Sequence, residues 1–438
     1  MPAVSQGIVG MCFFECAAAF ACKVYGMRSF ILTTCLFAVA FLGLGCGEAA
    51  RVGGSAESRE PRIDAQFPGG NIIVDRIDGD RVFLRPDRRD TPRWWFYWYC
   101  RVRGAAGRTL LFTFTDGNPV GVRGPAVSTD GGASWTWLGA EAVAGESFRY
   151  TFPPQADDVR FCFTIPYLVF DWRAFLKPLA GNPHLQVSTL CKTTKGRDVQ
   201  CLRVGRLDGK CSHRVLLTAR HHACETMANF VLEGLIQSVL TDADQAWFRE
   251  NVEFLVVPFV DTDGVEDGDQ GKCRAPRDPN RDYDGQSIYP AVKALRELVP
   301  GWSAGKLRVA LDLHCPYIRG GRNEAIFFVG LDDDRLWRNL ERFSAILESL
   351  PPRGLPYRAA DNLPWGQEWN NSAKLGEGKS LADWASQIPG LEVASTMETA
   401  YANDAGTPVT PASARAFGRD LAQAIRRFLE QPNSRISP

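Results

Sequence analysis

From about residue 180 onward, apolar segments typical of buried strands alternate with segments whose apolar residues recur at helical spacing. The strand-like segments are VQCLRVG, HRVLLTAR, VEFLVVPFVD, LRVALDLHC and GLEVASTMETAY. The helical segments are ETMANFVLEGLIQSVL, YPAVKALRELV, DDRLWRNLERFSAILESL and PASARAFGRDLAQAIRRFLEQ. This alternation predicts an α/β fold in which a mixed, mainly parallel sheet is flanked by helices. Because parallel strands end at one edge of such a sheet, we expect a functional site at that edge.

Residues 64–178 show a different pattern, in which short strand-like segments are separated by Gly, Pro and Asp. Among these segments are NIIVDRIDGDRVFLRP, TLLFTFTDG, SFRYTFPP and VRFCFTIPY. Short strands at this spacing predict a small antiparallel β-sandwich. The aromatic run Trp94–Tyr99 fits either a buried core strand, which we favour, or a platform on which a sugar stacks. We therefore predict an N-terminal β-sandwich domain over 64–178 and an α/β domain over 179–432.

Residues 1–50 have the composition of a leader. Phe30–Leu44 is an uncharged run of fifteen residues that follows Met27 and Arg28, and it is shorter than the roughly 20 residues of a membrane span. A basic start, an apolar stretch and small residues after it indicate a signal peptide that begins at Met27, or a lipoprotein signal with Cys46. The alternative is a membrane anchor of two short helices.

Residues 51–63 are polar and rich in Gly, and we expect them to link the leader to the first domain. If the leader is real, the protein is exported and is periplasmic, extracellular or lipid-anchored; otherwise it is cytoplasmic. Contact with a membrane is expected only through a leader that is lipidated or uncleaved.

The charge and the cysteines limit the classes of partner. Lys plus Arg and Asp plus Glu both number 50, so we expect no nucleic-acid partner, because the chain has no general excess of positive charge. Outside the leader there is no CxxC pair and no regular spacing, so the cysteines do not settle the compartment. These cysteines are Cys100, Cys162, Cys191, Cys201, Cys211, Cys224, Cys273 and Cys315.

Polar residues stand at the ends of several predicted strands. The chain has five histidines, and three of them, His221, His222 and His314, follow or end strand-like segments, as Glu398 does. Two histidines, a carboxylate and an open position for water make a catalytic zinc site by ligand type. Glu225 follows His222 by three residues and His221 by four, and both spacings bring side chains together. Spacing alone therefore leaves open which histidine is the ligand.

The order of these motifs resembles the zinc metallocarboxypeptidase (funnelin) family. The motifs are H-x-x-E at His222–Glu225, D-x-N-R at Asp278–Arg281, then His314, then Glu398. The segments FPGGNI, GPAVSTDGG and TME are most similar to the cytosolic carboxypeptidase-like branch, which has a leading β-rich domain. The resemblance covers roughly residues 65–430 and implies that 179–432 is a zinc carboxypeptidase catalytic domain. Ala223 and Cys224 replace the Pro-Gly that this branch usually carries.

The resemblance implies a metal site with one Zn²⁺ per chain. Its ligands would be His222, Glu225 and His314. Asp278 would accept the other ring N–H of His222 and fix the tautomer of that ring. His221 is expected to be a packing neighbour.

The resemblance also implies the catalytic roles. Asn280 and Arg281 would hold the terminal carboxylate of the substrate. Arg274, or alternatively Arg277, would stabilise the oxyanion. Glu398 would be the general base for the zinc-bound water and would return the proton to the leaving amine.

The implied activity is that of a zinc-dependent hydrolase that cleaves a C-terminal amino acid, or a carboxylate-adjacent amide, from a peptide or protein. Two alternatives stay open: an amidase or carboxypeptidase acting on γ-glutamyl cell-wall stem peptides, and a non-catalytic peptide-binding protein that keeps the fold.

Three further features have open interpretations. Lys379 either binds an acidic substrate side chain or is a surface lysine. Tyr401 or Tyr357 could serve as the tyrosine that many family members place near the scissile bond. The acidic stretch Asp261–Asp269 lacks the terminal Glu of a calcium loop, so we favour a turn-rich loop.

Overall fold

A computed structural model describes residues 60–93, 96–372 and 377–431. The predicted leader, the start at Met27 and most of the predicted linker lie outside the described residues. No helix within these ranges combines the length and the apolar character that a membrane span requires.

Two five-stranded sheets form the first part of the described chain. Their strands are β1 (Arg62–Asp64), β2 (Ile73–Asp78), β3 (Arg81–Arg85), β4 (Tyr99–Arg103), β5 (Thr109–Phe114), β6 (Ala126–Ser128), β7 (Thr136–Trp137), β8 (Val143–Ala144), β9 (Ser147–Thr151) and β10 (Val159–Cys162). One sheet has the order β1-β4-β10-β6-β7 and the other β2-β3-β5-β9-β8. Every pairing is antiparallel except β3 with β5.

Alternating burial explains why these segments form a two-layered structure. In β5 the side chains of Leu110, Phe112 and Phe114 are buried, whereas their neighbours are partly exposed, as expected for a strand with one face on the core. Phe112 stacks on Phe148 of β9 with ring centroids 4.7 Å apart. Phe96–Tyr99 are at most 3% exposed, so the described part of the aromatic run belongs to the core.

A seven-stranded sheet forms the second part. The strands that follow in the chain are β11 (Leu185–Lys192), β12 (Asp198–Gly205), β13 (His213–Ala219), β14 (Val252–Val257), β15 (Leu307–His314), β16 (Phe327–Val329), β17 (Val393–Glu398), β18 (Asn403–Asp404) and β19 (Thr407–Pro408). The sheet order is β11-β12-β14-β13-β15-β17-β16. The four central strands are parallel, and the outer ones are antiparallel to their neighbours. The predicted fold class is confirmed.

Helices pack around this sheet. They are α1 (Val169–Leu176), α2 (Met227–Thr241), α3 (Ala246–Asn251), α4 (Thr262–Asp267), α5 (Pro290–Ser303), α6 (Asp334–Glu348), α7 (Leu381–Ala385) and α8 (Pro411–Glu430). The long helices α2, α5, α6 and α8 are the four predicted from apolar spacing. Two glycines let α2 and α8 approach closely, because a Cβ on Gly234 would lie 1.9 Å from the carbonyl oxygen of Arg415 and one on Gly418 would lie 2.1 Å from that of Val231.

The two parts of the described chain belong to one compact unit. The division into domains at residue 178 therefore stays a prediction. What matters for the site is the parallel core: β14, β13, β15 and β17 lie side by side, so their carboxyl ends share one edge. His314 and Glu398 are direct partners across β15 and β17 at that edge.

Candidate active site

Three potential metal-ligand residues converge at the carboxyl edge of the parallel strands. His222 Nδ1 lies 2.9 Å from Glu225 Oε1, and His314 Nδ1 lies 2.6 Å from Glu225 Oε2. The two Nδ1 atoms are 3.2 Å apart. His222 and Glu225 share a turn, in which the Glu225 N–H donates to the His222 carbonyl, and α2 begins directly after it. The predicted H-x-x-E pair and the distant histidine therefore form one buried cluster.

Two further carboxylates fix the histidine tautomers. Asp278 Oδ1 lies 3.0 Å from His222 Nε2, and Asp312 Oδ2 lies 2.5 Å from His314 Nε2. A neutral imidazole that donates its Nε2–H to a carboxylate presents the Nδ1 lone pair to its other side. Two lone pairs and the Glu225 carboxylate thus face one another in a buried space, where a cation would satisfy all three. Two imidazoles and one carboxylate fit zinc with an open coordination position.

His221 lies beside this cluster and has other partners. Its Nδ1 is 2.8 Å from Asp312 Oδ1, and its Nε2 is 2.8 Å from the Tyr283 hydroxyl. Since both ring nitrogens are engaged in a fully buried position, the geometry pairs Glu225 with His222 rather than with His221. The sequence analysis missed Asp312, although Asp312 and His314 stand two residues apart on a strand and so share a face.

Glu398 ends β17 next to His314. Its side chain is 6% exposed, and its Oε2 is buried without a hydrogen-bond partner among the described residues. Burial raises the pKa of Glu398 above the usual range of a glutamate, while the nearby Lys272 opposes that shift. A buried carboxylate with an unused oxygen can exchange a proton with a reacting group.

Lys272 is a cation at the site that the sequence analysis did not identify. Its Nζ lies 2.8 Å from Glu225 Oε1 and donates to the Cys315 carbonyl at 3.1 Å. Burial would lower the pKa of Lys272, but the Glu225 and Glu398 carboxylates raise it, so the ammonium stays charged at neutral pH. No spacing signal in the sequence distinguishes this lysine from the arginines that follow it.

The ion pairs of Arg274 do not fit its expected role of stabilising the oxyanion. Its Nε, Nη1 and Nη2 atoms lie 2.7, 2.6 and 2.9 Å from three different carboxylates, those of Asp90, Asp261 and Asp269. A guanidinium so compensated has little charge left to offer a substrate. The alternative, Arg277, pairs with Asp282 at 2.6 Å and donates to the Gln286 carbonyl.

We expect Arg274→Ala to lower the free energy of unfolding by roughly 3–5 kcal/mol, because it would leave largely buried carboxylates unpaired. Urea unfolding of the purified full-length protein measures this change. Arg85→Ala is the control, since its pair with Asp75 is exposed on both sides and is expected to contribute about 0–1 kcal/mol. Equal unfolding midpoints for the two variants would contradict the structural role of Arg274.

Asn280 and Arg281 lie on a short turn next to the cluster. Asp278 caps this turn, and its Oδ1 accepts a hydrogen bond from the Asn280 N–H at 2.8 Å. Asn280 Nδ2 is 3.2 Å from His314 Nε2, and Arg281 Nη1 donates to the Asn280 carbonyl at 2.6 Å. Both residues line a cavity of about 1200 Å³ that is also lined by His222, His314 and Glu398.

The other predicted candidates lie elsewhere. The buried Tyr401 hydroxyl is 3.5 Å from Cys224 Sγ, and the Tyr357 hydroxyl donates to Asn362; the tyrosine in the cavity wall is Tyr317. Lys379 is outside the cavity wall, and its backbone bridges to Asp282.

The acidic stretch Asp261–Asp269 contains a helix, and its charges are balanced by cations. Asp261 caps α4. Arg197 pairs with Asp263 and Asp267, and Arg89 pairs with Asp269. This arrangement does not favour the calcium interpretation. The eight cysteines of the described chain are all free thiols, and Cys224, between the two motif residues, is fully buried.

Comparison with known proteins agrees with this geometry. A sequence model of the peptidase M14 family, described as zinc carboxypeptidase, matches residues 173–295. Cytosolic carboxypeptidase 6 of Caenorhabditis elegans is 23% identical over 283 residues, which cover 58% of this chain and 61% of the relative. Cytosolic carboxypeptidase 2 of Xenopus tropicalis is 22% identical over 316 residues, which cover 68% of this chain and 32% of the relative. The chain thus spans less than two thirds of the length of these relatives.

Solved structures share the fold over most of the chain. A metallo-carboxypeptidase from Burkholderia cenocepacia matches with a TM-score of 0.68 and 22% identity, over 84% of this chain and 98% of that one. A metallo-carboxypeptidase from Pseudomonas aeruginosa, solved in complex with (2-guanidinoethylmercapto)succinic acid, matches with a TM-score of 0.68 and 22% identity, over 84% and 99%. The zinc carboxypeptidase model of the peptidase M14 family thus matches residues 173–295, and the metallo-carboxypeptidases share the fold, so the recognition from the four motifs is confirmed.

Proposed function

We propose that this protein is a zinc-dependent carboxypeptidase that removes a C-terminal amino acid from a peptide or protein. The observation that carries the proposal is the convergence of two histidine Nδ1 atoms on the Glu225 carboxylate, beside a cavity that also holds Glu398. His222, Glu225 and His314 would hold the metal. When bound, zinc would supply a Lewis acid that polarises a carbonyl and lowers the pKa of a water molecule to about 7.

The other residues of the cavity would bind the substrate and move protons. Asn280 and Arg281 bind the C-terminal carboxylate through their N–H donors, which holds the last peptide bond near Glu398. Glu398 accepts a proton from water as the water oxygen bonds to the carbonyl carbon. The same carboxyl group then donates this proton to the amine nitrogen as the C–N bond breaks. Lys272 Nζ faces the negative charge that develops on the carbonyl oxygen.

Asp278 and Asp312 would act through the histidines. By accepting the two Nε2–H groups, they keep both Nδ1 atoms free of protons and hold the rings in place. The alternative of a non-catalytic peptide-binding protein would require the loss of a metal ligand or of Glu398, and the chain retains all of them. A γ-glutamyl cell-wall peptide would use the same residues, so it remains a substrate to be tested within this proposal.

The zinc site predicts that inductively coupled plasma mass spectrometry will find about one zinc ion per chain in the purified full-length protein. It also predicts that the protein will release C-terminal residues from a peptide library. We expect His314→Ala to lose at least about 90% of the zinc, since two remaining ligands bind it weakly. His184→Ala is the control and should keep the metal, because its ring contacts the Gly205 carbonyl, apart from the cluster. Full zinc content in His314→Ala, or none in the wild type, would refute the site.

We further propose that the leader decides the compartment. A signal peptide or lipoprotein signal starting at Met27 would export the enzyme, and without such a signal the enzyme would be cytoplasmic. Sequencing the N-terminus of the protein recovered from its native cell distinguishes these outcomes.

A further inference from the structure

We propose that the pocket for the side chain of the released residue is neutral, so that the enzyme prefers substrates ending in an uncharged aromatic or aliphatic residue over those ending in Glu or Asp. This inference rests on the proposed function and names the substrate class of the same cavity. The relatives that are named cytosolic carboxypeptidases do not decide this point, because side-chain preference depends on the residues that line this chain's own cavity.

Most positive charges of the cavity come from one chain segment, residues 272–281, which we call the cationic wall. It carries Lys272, Arg274, Arg277 and Arg281. Lys272, Arg274 and Arg277 have carboxylate partners, as described above. Burial raises the pKa of the Cys273 thiol and Arg93 opposes that shift, so Arg93 lies beside the same wall. The cationic wall also holds Asn280, so this side of the cavity suits the main-chain carboxylate of a substrate.

The cavity residues 329, 331, 365, 369, 370 and 396 form a second group, which we call the neutral wall, and none of these described residues is charged. Thr396 precedes Glu398 by two positions on β17, and therefore shares its face of the sheet. Val329 of β16 is the partner of Thr396 in the register. The wall consists of Val329, Leu331, Trp365, Trp369, Asn370 and Thr396. A side chain that lies along it meets two indole rings and two aliphatic residues.

Asn370 gives this wall a polarity that disfavours acids. It is 2% exposed, and its Nδ2 lies 2.8, 3.3 and 3.2 Å from the carbonyl oxygens of Gly330, Leu363 and Pro364. The opposite amide orientation would place Oδ1 against three carbonyl oxygens, which cannot donate to it. The Asn370 amide donors are thus used within the protein, so a substrate carboxylate would find no free donor on Asn370.

The acidic residues of the cavity do not convert this wall into a site for a basic side chain. Asp383 Oδ2 accepts hydrogen bonds from the Ser380 N–H and from the Ser380 hydroxyl. These bonds belong to the N-terminal cap of α7, so this carboxylate oxygen is already used within the protein. Asp284 and Glu377 are exposed to solvent, where a surface ion pair contributes little. A charged side chain placed along the neutral wall would lose its hydration without gaining a partner. An uncharged side chain would gain burial against Trp365 and Trp369.

Peptides that are identical except for the last residue test this inference on the zinc-loaded full-length protein. We expect kcat/KM for peptides ending in Phe or Leu to exceed kcat/KM for peptides ending in Glu by at least about 100-fold. The reason is that a site which leaves a polar group unpaired discriminates strongly against that ligand. Equal or faster cleavage of the peptides ending in Glu or Lys would overturn the inference while leaving the carboxypeptidase proposal intact. Calorimetry with the Glu398→Gln variant measures the affinity for each of the same peptides without turnover. If the wild type cleaves none of the peptides, that result counts against the proposed function alone, because the affinities still test the side-chain preference.

A charge introduced into the neutral wall provides the second test. Leu331 lines the cavity and is only partly buried, so Leu331→Arg adds a cation where the wall has none. We expect this variant to raise kcat/KM for the peptide ending in Glu by roughly 10-fold or more, as expected for a new charge-assisted hydrogen bond. Leu298→Arg is the matched control at an exposed position of α5, and Thr396→Lys replaces Leu331→Arg if the latter fails to fold. An unchanged Phe-to-Glu preference in both cavity variants would show that the side chain lies elsewhere.

Discussion

Glu398→Gln is expected to lower kcat by roughly 1000-fold or more, within the range that a positioned acid–base group contributes, while zinc content and peptide affinity stay close to the wild-type values. The substitution keeps the size and shape of the side chain but removes its ability to accept a proton. The Glu398 carboxylate is suited to this role because it is buried, ends the strand next to His314, and has an oxygen without a hydrogen-bond partner in the described chain.

Single-turnover kinetics and calorimetry together separate the effect on the chemical step from effects on binding. The loss should lie in the chemical step, whereas a merely structural role would lower zinc content or peptide affinity as well. Glu392→Gln is a matched control on the approach to β17, where Glu392 contacts Arg308 and Arg342 at 3.5 Å. Activity of Glu398→Gln within about 10-fold of the wild type would exclude Glu398 as the general base.

Much of the fold and of the metal cluster could be predicted from the sequence because the signals are local. His222 and Glu225 share one turn, His314 and Glu398 each end a largely buried strand, and a parallel sheet brings such ends together. The long helices α2, α5, α6 and α8 show clear apolar periodicity. In contrast, β11 has mostly exposed side chains and β16 has only three residues, so neither gives a pattern that a reader of the sequence would recognise.

The cation of the site could not be predicted because its identity depends on distant residues. Lys272, Arg274 and Arg277 stand within six positions of one another, and each could reach a substrate in an isolated loop. Asp90, which belongs to the part of the chain before β4, takes up the Arg274 guanidinium together with Asp261 and Asp269. Because these tertiary contacts bind Arg274 elsewhere, Lys272 is the residue of the two that lies beside Glu225 and Glu398.

Lys272→Met is expected to lower kcat/KM by roughly 100- to 1000-fold, the loss that follows removal of one donor to a developing oxyanion. Methionine keeps the length and most of the apolar stem of lysine but carries no charge. Lys272→Arg should recover part of the activity, because a guanidinium restores the positive charge with a different shape.

The expected loss has a signature that a structural defect would not produce. Because the charge on the carbonyl oxygen appears only as the reaction proceeds, affinity for a phosphonate analogue of the tetrahedral state should fall in parallel with kcat/KM, while affinity for a substrate peptide changes little. Lys306→Met is the matched control: its Nζ also donates to a cysteine carbonyl, that of Cys211 at 2.8 Å, but it precedes β15 at the end opposite His314. If Lys272→Met weakened substrate and phosphonate binding equally, the ammonium would serve binding alone, and the oxyanion would need another partner in the cavity.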